Sequence, residues 1–368
     1  MAESSRLSDV RRIAVLRPNA VGDFVFSLPC LHALKAAYPQ ARITYIGRQW
    51  HADLLTGRPG PIDEVEVIPP TPGVGLPPDA EVDTRRVEDF VARMQARHFD
   101  IALQIFGGGH YSNPFVTRFG ARLTAGMRAP GAAALDRSVH YGPMQNRRLQ
   151  MLEVTGLVGA GMVDMGGAPD LRATDADRRE ADAVLTPVPG RRLAVLQPGS
   201  TDRRRCWSPE RFAAVGDALS DAGLLVAVNG TDAEAPVVRA VIERMRTPAV
   251  DLSGRLSLSG LCGLLDRASL LVSNDTGPLH LGLALGTPAV GIYWLTNLIE
   301  SGALRQEGHR PALSVQVHCP VCGEENLTSR CAHDESFVDR VGIEHVIGLA
   351  MDLLREGKTA GRTARSAT

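Results

Sequence analysis

Apolar runs alternate with helix-like segments along the first half of the chain. The segment RRIAVLRP has the apolar character of a buried parallel strand. Further strands are indicated by ARITYIG, VEVIPP and DIALQIF. Between them, FVFSLPCLHALKAAYP, which ends near Pro39, and TRRVEDFVARMQARHF have the spacing of helices. This succession predicts a doubly wound parallel sheet with right-handed crossovers.

The second half of the chain repeats this plan. Strands are indicated by RRLAVLQPGS, LLVAVNG, AVDLSG, LLVS and PAVGIY. Helices are indicated by EAPVVRAVIERM and by SPERFAAVGDALSDAG, which has a Ser-Pro start and a glycine stop. We therefore expect an α/β fold of two Rossmann-like domains that face each other across a cleft.

A glycine-rich, weakly periodic segment, GAGMVDMGGAPDLRATDAD, separates the two halves. It predicts an N-terminal domain at residues 1–170 and a C-terminal domain at residues 171–334. The segment IEHVIGLAMDLLREG predicts a C-terminal helix within residues 335–358, which we expect to pack back towards the first domain. Residues 359–368 are expected to form a disordered tail.

Composition excludes several classes of protein. The formal net charge of −1 gives no overall field that would attract nucleic acid. No apolar run approaches the roughly 18 residues of a membrane helix, and the first residues do not resemble a secretion signal. The six cysteines lack the density of a disulfide scaffold. We expect a cytoplasmic enzyme or binding protein, for which peripheral contact with the membrane stays open.

Three polar turns follow predicted strands, on the edge where parallel sheets bind ligands. In RPNAVGDFVF, Gly22 permits a tight turn and Asp23 lies at a helix start, where it is either an N-cap or a functional carboxylate. In PGSTDRRRCWSPERF, hydroxyls of Ser200 and Thr201 precede three consecutive arginines. An arginine cluster beside such a turn favours a phosphate site, although surface charge would account for two of the three.

The third turn lies in NDTGPLHLGLALGTPAVGIY and contains Asp275, Thr276, Gly277 and His280. Each of the three turns offers backbone N–H groups and the positive end of a helix dipole, which favour anions. Neither G-x-G-x-x-G nor a Walker A motif is present at these turns, which argues against a standard dinucleotide fold or a P-loop.

In their order, the three motifs RRIAVLRPNAVGDFVFSLPCLHAL, LQPGSTDRRRCWSPERF and NDTGPLHLGLALGTPAVGIY resemble those of glycosyltransferase family 9, the ADP-heptose:lipopolysaccharide heptosyltransferases and their relatives. The resemblance extends from about Arg12 to Trp294. It implies a GT-B fold and an inverting transfer of a sugar, heptose by family precedent, without a required metal. The implied donor is a nucleotide sugar similar to ADP-heptose, and the implied acceptor is a cell-envelope glycan, lipid-linked saccharide or lipopolysaccharide core.

The resemblance also suggests roles for the turn residues. Asp23 would be the general base, and the second domain would hold the donor. Candidate donor contacts are Asn19, Ser200, Thr201, Arg205, Glu234, Asp275, Thr276, Gly277 and His280. Asp275 should avoid phosphate and contact sugar hydroxyls or backbone N–H groups, whereas Glu234 would bind the ribose. As alternatives, His280 is a capping or core histidine and Glu234 pairs with a helix dipole. Because the family often has lysine where Arg205 stands, Arg203 or Arg204 could contact the diphosphate instead.

Two further groups of residues are candidate sites. His110, Tyr111, Ser112 and Asn113 follow a strand of the first domain and line the acceptor site or form a loop without chemistry. Cys319, Cys322, Cys331 and His333 are ligands of the type that structural zinc prefers, although the close Cys-x-His spacing favours reduced thiols as the alternative.

Two other functions fit the same fold. One is a nucleotide-sugar epimerase or hydrolase, which needs further acid/base groups and no acceptor. The other is a non-catalytic nucleotide-sugar-binding protein, which does not need a carboxylate such as Asp23.

Overall fold

The computed structural model describes residues 6–161, 169–327 and 329–366. Through its internal contacts, the chain divides into two units, Met1–Gly166 and Gly167–Thr368. This division lies close to the boundary that the sequence predicts at residue 170, and part of the glycine-rich segment there is outside the described residues.

The first unit contains a parallel sheet of six strands. The strands of this unit are β1 (Arg12–Leu16), β2 (Arg42–Gly47), β3 (Glu64–Val67), β4 (Thr71–Pro72), β5 (Gly75–Leu76), β6 (Ile101–Gln104), β7 (Leu123–Arg128) and β8 (Arg137–His140). Its helices are α1 (Val21–Ala37), α2 (Gln49–Leu55), α3 (Thr84–Ala96), α4 (Ser112–Thr117) and α5 (Arg147–Leu157). The spatial order of the large sheet is β3-β2-β1-β6-β7-β8, and β4 and β5 form a separate short pair.

The chain reverses its direction of winding between β1 and β6, which are neighbours in this sheet. Such a point is where open parallel sheets bind ligands, beyond the carboxyl ends of the strands. Helix α1 starts there, directly after β1. Residues 24–31 of this helix are all buried, so α1 is anchored in the core and its first turn has a fixed position.

The second unit repeats the arrangement. Its strands are β9 (Leu193–Gln197), β10 (Leu225–Val228), β11 (Val250–Asp251), β12 (Leu270–Asn274), β13 (Ala289–Trp294) and β14 (His309–Ser314). Its helices are α6 (Asp175–Val184), α7 (Pro209–Asp221), α8 (Ala235–Ile242), α9 (Leu258–Arg267), α10 (Gly277–Leu285), α11 (Leu295–Ser301) and α12 (Ile343–Ser366). The spatial order is β11-β10-β9-β12-β13-β14, so β9 and β12 take the places that β1 and β6 have in the first unit. Two doubly wound Rossmann-like sheets are therefore confirmed.

Helix α12 packs within the second unit. Its side chains Val346, Ala350, Leu353 and Leu354 are buried in the same cluster as Trp294. The helix begins at Ile343 and is described to Ser366, whereas the sequence analysis ends it at residue 358. No proline interrupts this extension. Among the described residues, no helix is both long and apolar enough to cross a bilayer.

Candidate functional site

Asp23 lies in the first turn of α1, at the ligand-binding edge of the first sheet. The helix cap is Ala20, which makes no side-chain cap bond, so the N-cap interpretation of Asp23 is wrong. Instead, its Oδ1 atom lies 3.0 Å from Nη2 of Arg17, and Nε of the same arginine donates to the Asp23 carbonyl at 2.7 Å. The Arg17 side chain is only 4% exposed, whereas that of Asp23 is 37% exposed. The buried arginine thus orients a carboxylate that solvent and ligands can reach.

A small cavity of about 80 Å³ adjoins this carboxylate. Asn19 and Asp23 line it together with side chains of the β8–α5 region, among them Tyr141, Arg147 and Gln150. Within the described part of the chain, Oδ1 of Asn19 is buried without a hydrogen-bond partner. A buried acceptor of this kind suits a ligand that brings a hydroxyl group.

The ends of β9, β10 and β12 form the ligand-binding edge of the second sheet, because these three strands are adjacent and parallel. Asn274, the last residue of β12, connects two of the turns. Its Oδ1 accepts the backbone N–H of Trp207 at 3.1 Å, and its Nδ2 donates to the Pro198 carbonyl at 2.8 Å. This buried amide holds the turn after β9 and the start of α7 beside the start of α10.

Asp275 is the centre of a buried polar cluster. Its Oδ1 atom lies 2.8 Å from Nε2 of His280 and accepts the Ser301 hydroxyl at 3.2 Å. Nη1 of Arg205 lies 3.3 Å from Oδ2 of Asp275 and 3.3 Å from its carbonyl oxygen. Burial alone would raise the pKa of Asp275, but the hydrogen bond and charge of His280 and the charge of Arg205 hold that pKa below its ordinary value.

This arrangement changes the interpretation of Asp275. The sequence analysis expected contacts with sugar hydroxyls or backbone N–H groups, but the observed partners are side chains because the carboxylate is only 2% exposed. Asp275 therefore orients His280 and Arg205. The sequence analysis missed Ser301, since nothing in the surrounding residues 295–301 indicates a polar partner.

The three consecutive arginines have different surroundings. Arg204 bonds through two nitrogen atoms to Asp202, and its guanidinium lies over the Trp294 ring. Arg205 is the partner of Asp275. Arg203 is exposed and lines a large cavity of about 940 Å³. Of the three, Arg203 is the most accessible to an anionic ligand, and Arg204 is a structural residue.

The same cavity is lined by Gly199, Ser200 and Glu234. Oε2 of Glu234 accepts the N–H of Thr231 at 2.8 Å and its hydroxyl at 3.1 Å. A Cβ atom at position 199 would lie 2.0 Å from Oε1 of Glu234, so only glycine permits the observed approach. Within the described residues, the Ser200 hydroxyl is buried without a hydrogen-bond partner. The cavity therefore combines a fixed carboxylate, a hydroxyl in need of a partner, and a cation.

Thr201 is exposed beside this cavity, and Thr276 and Gly277 are half-buried at the start of α10. Thr276 is the N-cap and has extended backbone, without a side-chain cap bond. Pro278 occupies the first turn of the helix, where it requires no N–H partner. This helix start is suited to an anion, as the sequence predicts.

Comparison with known proteins identifies the family. Residues 88–325 match the family described as glycosyltransferase family 9 (heptosyltransferase). The chain belongs to glycosyltransferase family 9. It is 23% identical over 291 residues to lipopolysaccharide heptosyltransferase 3 of Escherichia coli, which covers 76% of this chain and 82% of that relative.

Solved structures of this family share the fold. A family 9 glycosyl transferase from Veillonella parvula is similar with a TM-score of 0.78 and 20% identity, over 96% of this chain and 99% of the other. The E. coli ADP-heptose lipopolysaccharide heptosyltransferase II has a TM-score of 0.72 and 16% identity, over 95% of this chain and 99% of the other. The GT-B fold expected for this glycosyltransferase is thereby confirmed.

The residues predicted for the acceptor side of the enzyme divide into two kinds. Ser112 and Asn113 are buried in α4, where Asn113 donates to the carbonyls of Met127 and Ala133. His110 and Tyr111 are exposed. The exposed pair is accessible to a sugar acceptor. The side-chain hydrogen-bond donors of Ser112 and Asn113 bond instead to backbone carbonyls within the fold.

The cysteine-rich loop of the enzyme brings its four candidate ligands together. The ligand atoms of Cys319, Cys322, Cys331 and His333 all lie within 4.8 Å of one another. The close spacing of Cys331 and His333 along the chain therefore does not prevent the four side chains from meeting.

Besides Ser301, two further residues of the site were missed by sequence reasoning. Arg17 directly follows β1, and its buried guanidinium orients Asp23. Asn274 directly precedes the predicted turn that contains Asp275. In both cases the available signal was a polar side chain at the end of an apolar strand, which is costly to bury unless it is hydrogen-bonded.

Proposed function

We propose that this family 9 enzyme transfers a heptosyl group, with inversion, from a donor similar to ADP-heptose to a saccharide acceptor of the lipopolysaccharide core. The names of two relatives support these substrates, because lipopolysaccharide heptosyltransferase 3 and ADP-heptose lipopolysaccharide heptosyltransferase II are similar along most of their length. The observation that carries the proposal is the cavity of about 940 Å³ at the strand ends of the second unit. Its volume and its polar lining suit a nucleotide sugar.

The donor's charge is matched by groups of the second unit. Arg203 lines the cavity, and Arg205 is oriented by Asp275. Together with the start of α10, they supply the preorganised donors that a leaving nucleoside diphosphate needs as its charge develops. Glu234 is a fixed acceptor that suits the ribose hydroxyls, as the family resemblance implies.

In the proposed reaction, Asp23 removes the proton of the acceptor hydroxyl while the oxygen attacks the anomeric carbon. The bond from that carbon to the diphosphate oxygen then breaks on the opposite face, and the diphosphate leaves with the electron pair. Support comes from the exposure of the Asp23 carboxylate and its fixed orientation by Arg17. Because arginines and backbone N–H groups can stabilise the diphosphate, we expect that added Mg²⁺ does not raise the rate of transfer.

The decisive experiment compares Asp23→Asn with the wild type in the presence of ADP-heptose and a lipopolysaccharide-core acceptor. A general base contributes about 100-fold or more, so transfer should fall by at least that factor while ADP affinity measured by calorimetry stays within a few-fold. Asp89→Asn, which changes an exposed carboxylate on α3, should keep full activity.

Three outcomes would refute the proposal. Wild-type activity in Asp23→Asn would remove this carboxylate from the mechanism. Conversion of the donor at an equal rate without acceptor would indicate an epimerase or hydrolase, and ADP binding without any turnover would indicate a non-catalytic binding protein.

A further inference from the structure

A group of metal-binding side chains lies outside the proposed substrate site, in the loop between β14 and α12. Cys319 is buried, Cys331 and His333 are half-buried, and Cys322 is exposed. No disulfide joins the described cysteines. Three thiols and one imidazole form a Cys₃His set, which binds zinc in tetrahedral structural sites.

The backbone of the first two cysteines forms a tight turn around a sulfur atom. The N–H of Gly323 donates to the Cys319 carbonyl at 3.0 Å, and Gly323 has a φ of 77°, which favours glycine. The N–H of Val321 donates to Sγ of Cys319 at 3.4 Å. This turn therefore holds the sulfur of Cys319 in place as a candidate ligand atom.

The other two ligands differ in their surroundings, because Cys331 is held by a neighbouring amide whereas a ring nitrogen of His333 lacks a hydrogen bond among the described residues. Nδ2 of Asn326 donates to Sγ of Cys331 at 3.5 Å, and Oδ1 of the same amide accepts the Cys331 N–H at 3.3 Å. Nδ1 of His333 is buried and has no hydrogen-bond partner among the residues that the structure describes. A metal ion would satisfy this nitrogen, whose burial without a partner is otherwise unfavourable.

We propose that Cys319, Cys322, Cys331 and His333 bind one zinc ion, which fixes the loop formed by residues 319–333. A Zn–S bond of about 2.3 Å places tetrahedral ligands about 3.8 Å apart, so small side-chain movements suffice from separations within 4.8 Å. Each cysteine releases its proton to solvent when it binds the ion. Four protein ligands leave no open position for a substrate, and the ion is therefore structural.

The loop forms part of the wall of the large cavity. Pro320 lies within the loop, and Asp334 and Glu335 directly follow it; all three line the cavity. The next residues are tied to the arginine turn, since the Ser336 hydroxyl donates to the Cys206 carbonyl at 2.7 Å and the Phe337 N–H to the Arg204 carbonyl at 2.8 Å. Loss of the ion should therefore loosen one wall of this cavity. A resulting loss of ADP affinity is expected only if the cavity binds the nucleotide, and this part of the inference rests on the proposed function.

The test measures the metal content of the full-length protein by elemental analysis. We expect about one equivalent of zinc per chain in the wild type and in Cys262→Ala, whose cysteine is outside the cluster, and little zinc in Cys322→Ser. Because Cys322 is exposed, its substitution in a metal-free protein would leave the melting temperature nearly unchanged. If the wild type holds zinc, Cys322→Ser should have a melting temperature about 5 °C or more below that of the wild type, because the variant loses the ion. Removal of zinc from the wild type by a chelator should lower its melting temperature by a similar amount.

Reconstitution with Co²⁺ tests the ligands directly, since bound thiolates give charge-transfer absorption that Cys322→Ser should weaken and Cys262→Ala should preserve. A wild type that binds neither Zn²⁺ nor Co²⁺, or that forms a disulfide within the cluster in place of binding metal, would overturn the proposal. Metal content and melting temperature do not depend on turnover. A zinc-loaded protein without transferase activity would therefore refute the proposed function and leave the metal site intact.

Discussion

Nε2 of His280 lies 2.8 Å from Oδ1 of Asp275, and the two side chains are only 3% and 2% exposed. The pair closes the first turn of α10 onto the end of β12. Because the other carboxylate oxygen faces Arg205, one buried charge orients both an imidazole and a guanidinium. Asp275 is accordingly a positioning residue for the donor site.

Asp275→Asn should weaken both the fold and donor binding. The amide keeps the shape but loses the charge that holds Arg205, so we expect about 2–3 kcal/mol less stability and about tenfold weaker ADP binding. Denaturant unfolding and calorimetry measure the two effects. The control Asp266→Asn changes a carboxylate paired with Arg178 at the surface, and should cost less than about 1 kcal/mol. Unchanged ADP affinity in Asp275→Asn would show that the cluster has no part in donor binding.

Arg203 and Arg204 should separate binding from stability. Arg203→Ala removes an exposed guanidinium from the large cavity, so ADP affinity should fall about tenfold with stability within about 0.5 kcal/mol of wild type. Arg204→Ala removes the contact with Trp294 and the paired bonds to Asp202, and should cost about 1–2 kcal/mol of stability. The reverse pattern in calorimetry and unfolding would contradict these assignments.

Gly199→Ala should distort the proposed nucleotide site. The added Cβ would overlap with the Glu234 carboxylate, so Glu234 must leave its bonds to Thr231. We expect ADP affinity to fall by about tenfold, because an oriented hydrogen-bonding carboxylate contributes about 1–3 kcal/mol. Gly156→Ala is a matched control: apart from its chain neighbours and its own helix backbone, no atom of the described residues lies within 4 Å of the added Cβ, so binding should be unchanged. Equal affinities in the two variants would argue against a role for Glu234.

His51 should make stability depend on pH. The ring is stacked on Trp50, and its Nδ1 accepts the Arg48 N–H at 2.9 Å. Burial lowers the pKa of His51 to about 3, whereas the unfolded value is about 6.5. The unfolded state therefore binds the extra proton between these values, and stability is complete above about pH 6.5 and decreases as the pH falls.

From pH 7 to pH 5 this single group should remove about 2 kcal/mol of unfolding free energy. His51→Asn should flatten that dependence, although its stability at pH 7 is lower. His98→Asn is the control, because His98 is exposed and has a φ of 49°, which asparagine tolerates. If both variants kept the same slope, His51 would not be its source.

The sequence predicted most of the interior strands, because buried parallel strands are apolar on both faces, but not β7. It missed α4, where Asn113 bonds to the carbonyls of Met127 and Ala133, since such contacts leave no local pattern. It also missed β14, an edge strand that contains Pro311 and alternates in burial.

The sequence predicted where the candidate site lies, but not how its side chains pair. The polar turns were correctly located because each follows an apolar run. The partners of Asp275 were not predicted, as Arg205 lies 70 residues away and Ser301 lies 26 residues away. Side-chain pairing over such separations depends on the packed fold. The position of a polar turn can therefore be predicted from the sequence, whereas the partners of its side chains cannot.

The central position of β9 has a consequence for biosynthesis. β9 pairs with β10 on one side and with β12 on the other. The first partner follows it after one helix, α7, but the second emerges from the ribosome only after two further helices, α8 and α9, have been made. Until then, an apolar edge of the nascent chain stays open to wrong partners, which makes translation speed and chaperone capture determinants of the yield of active enzyme.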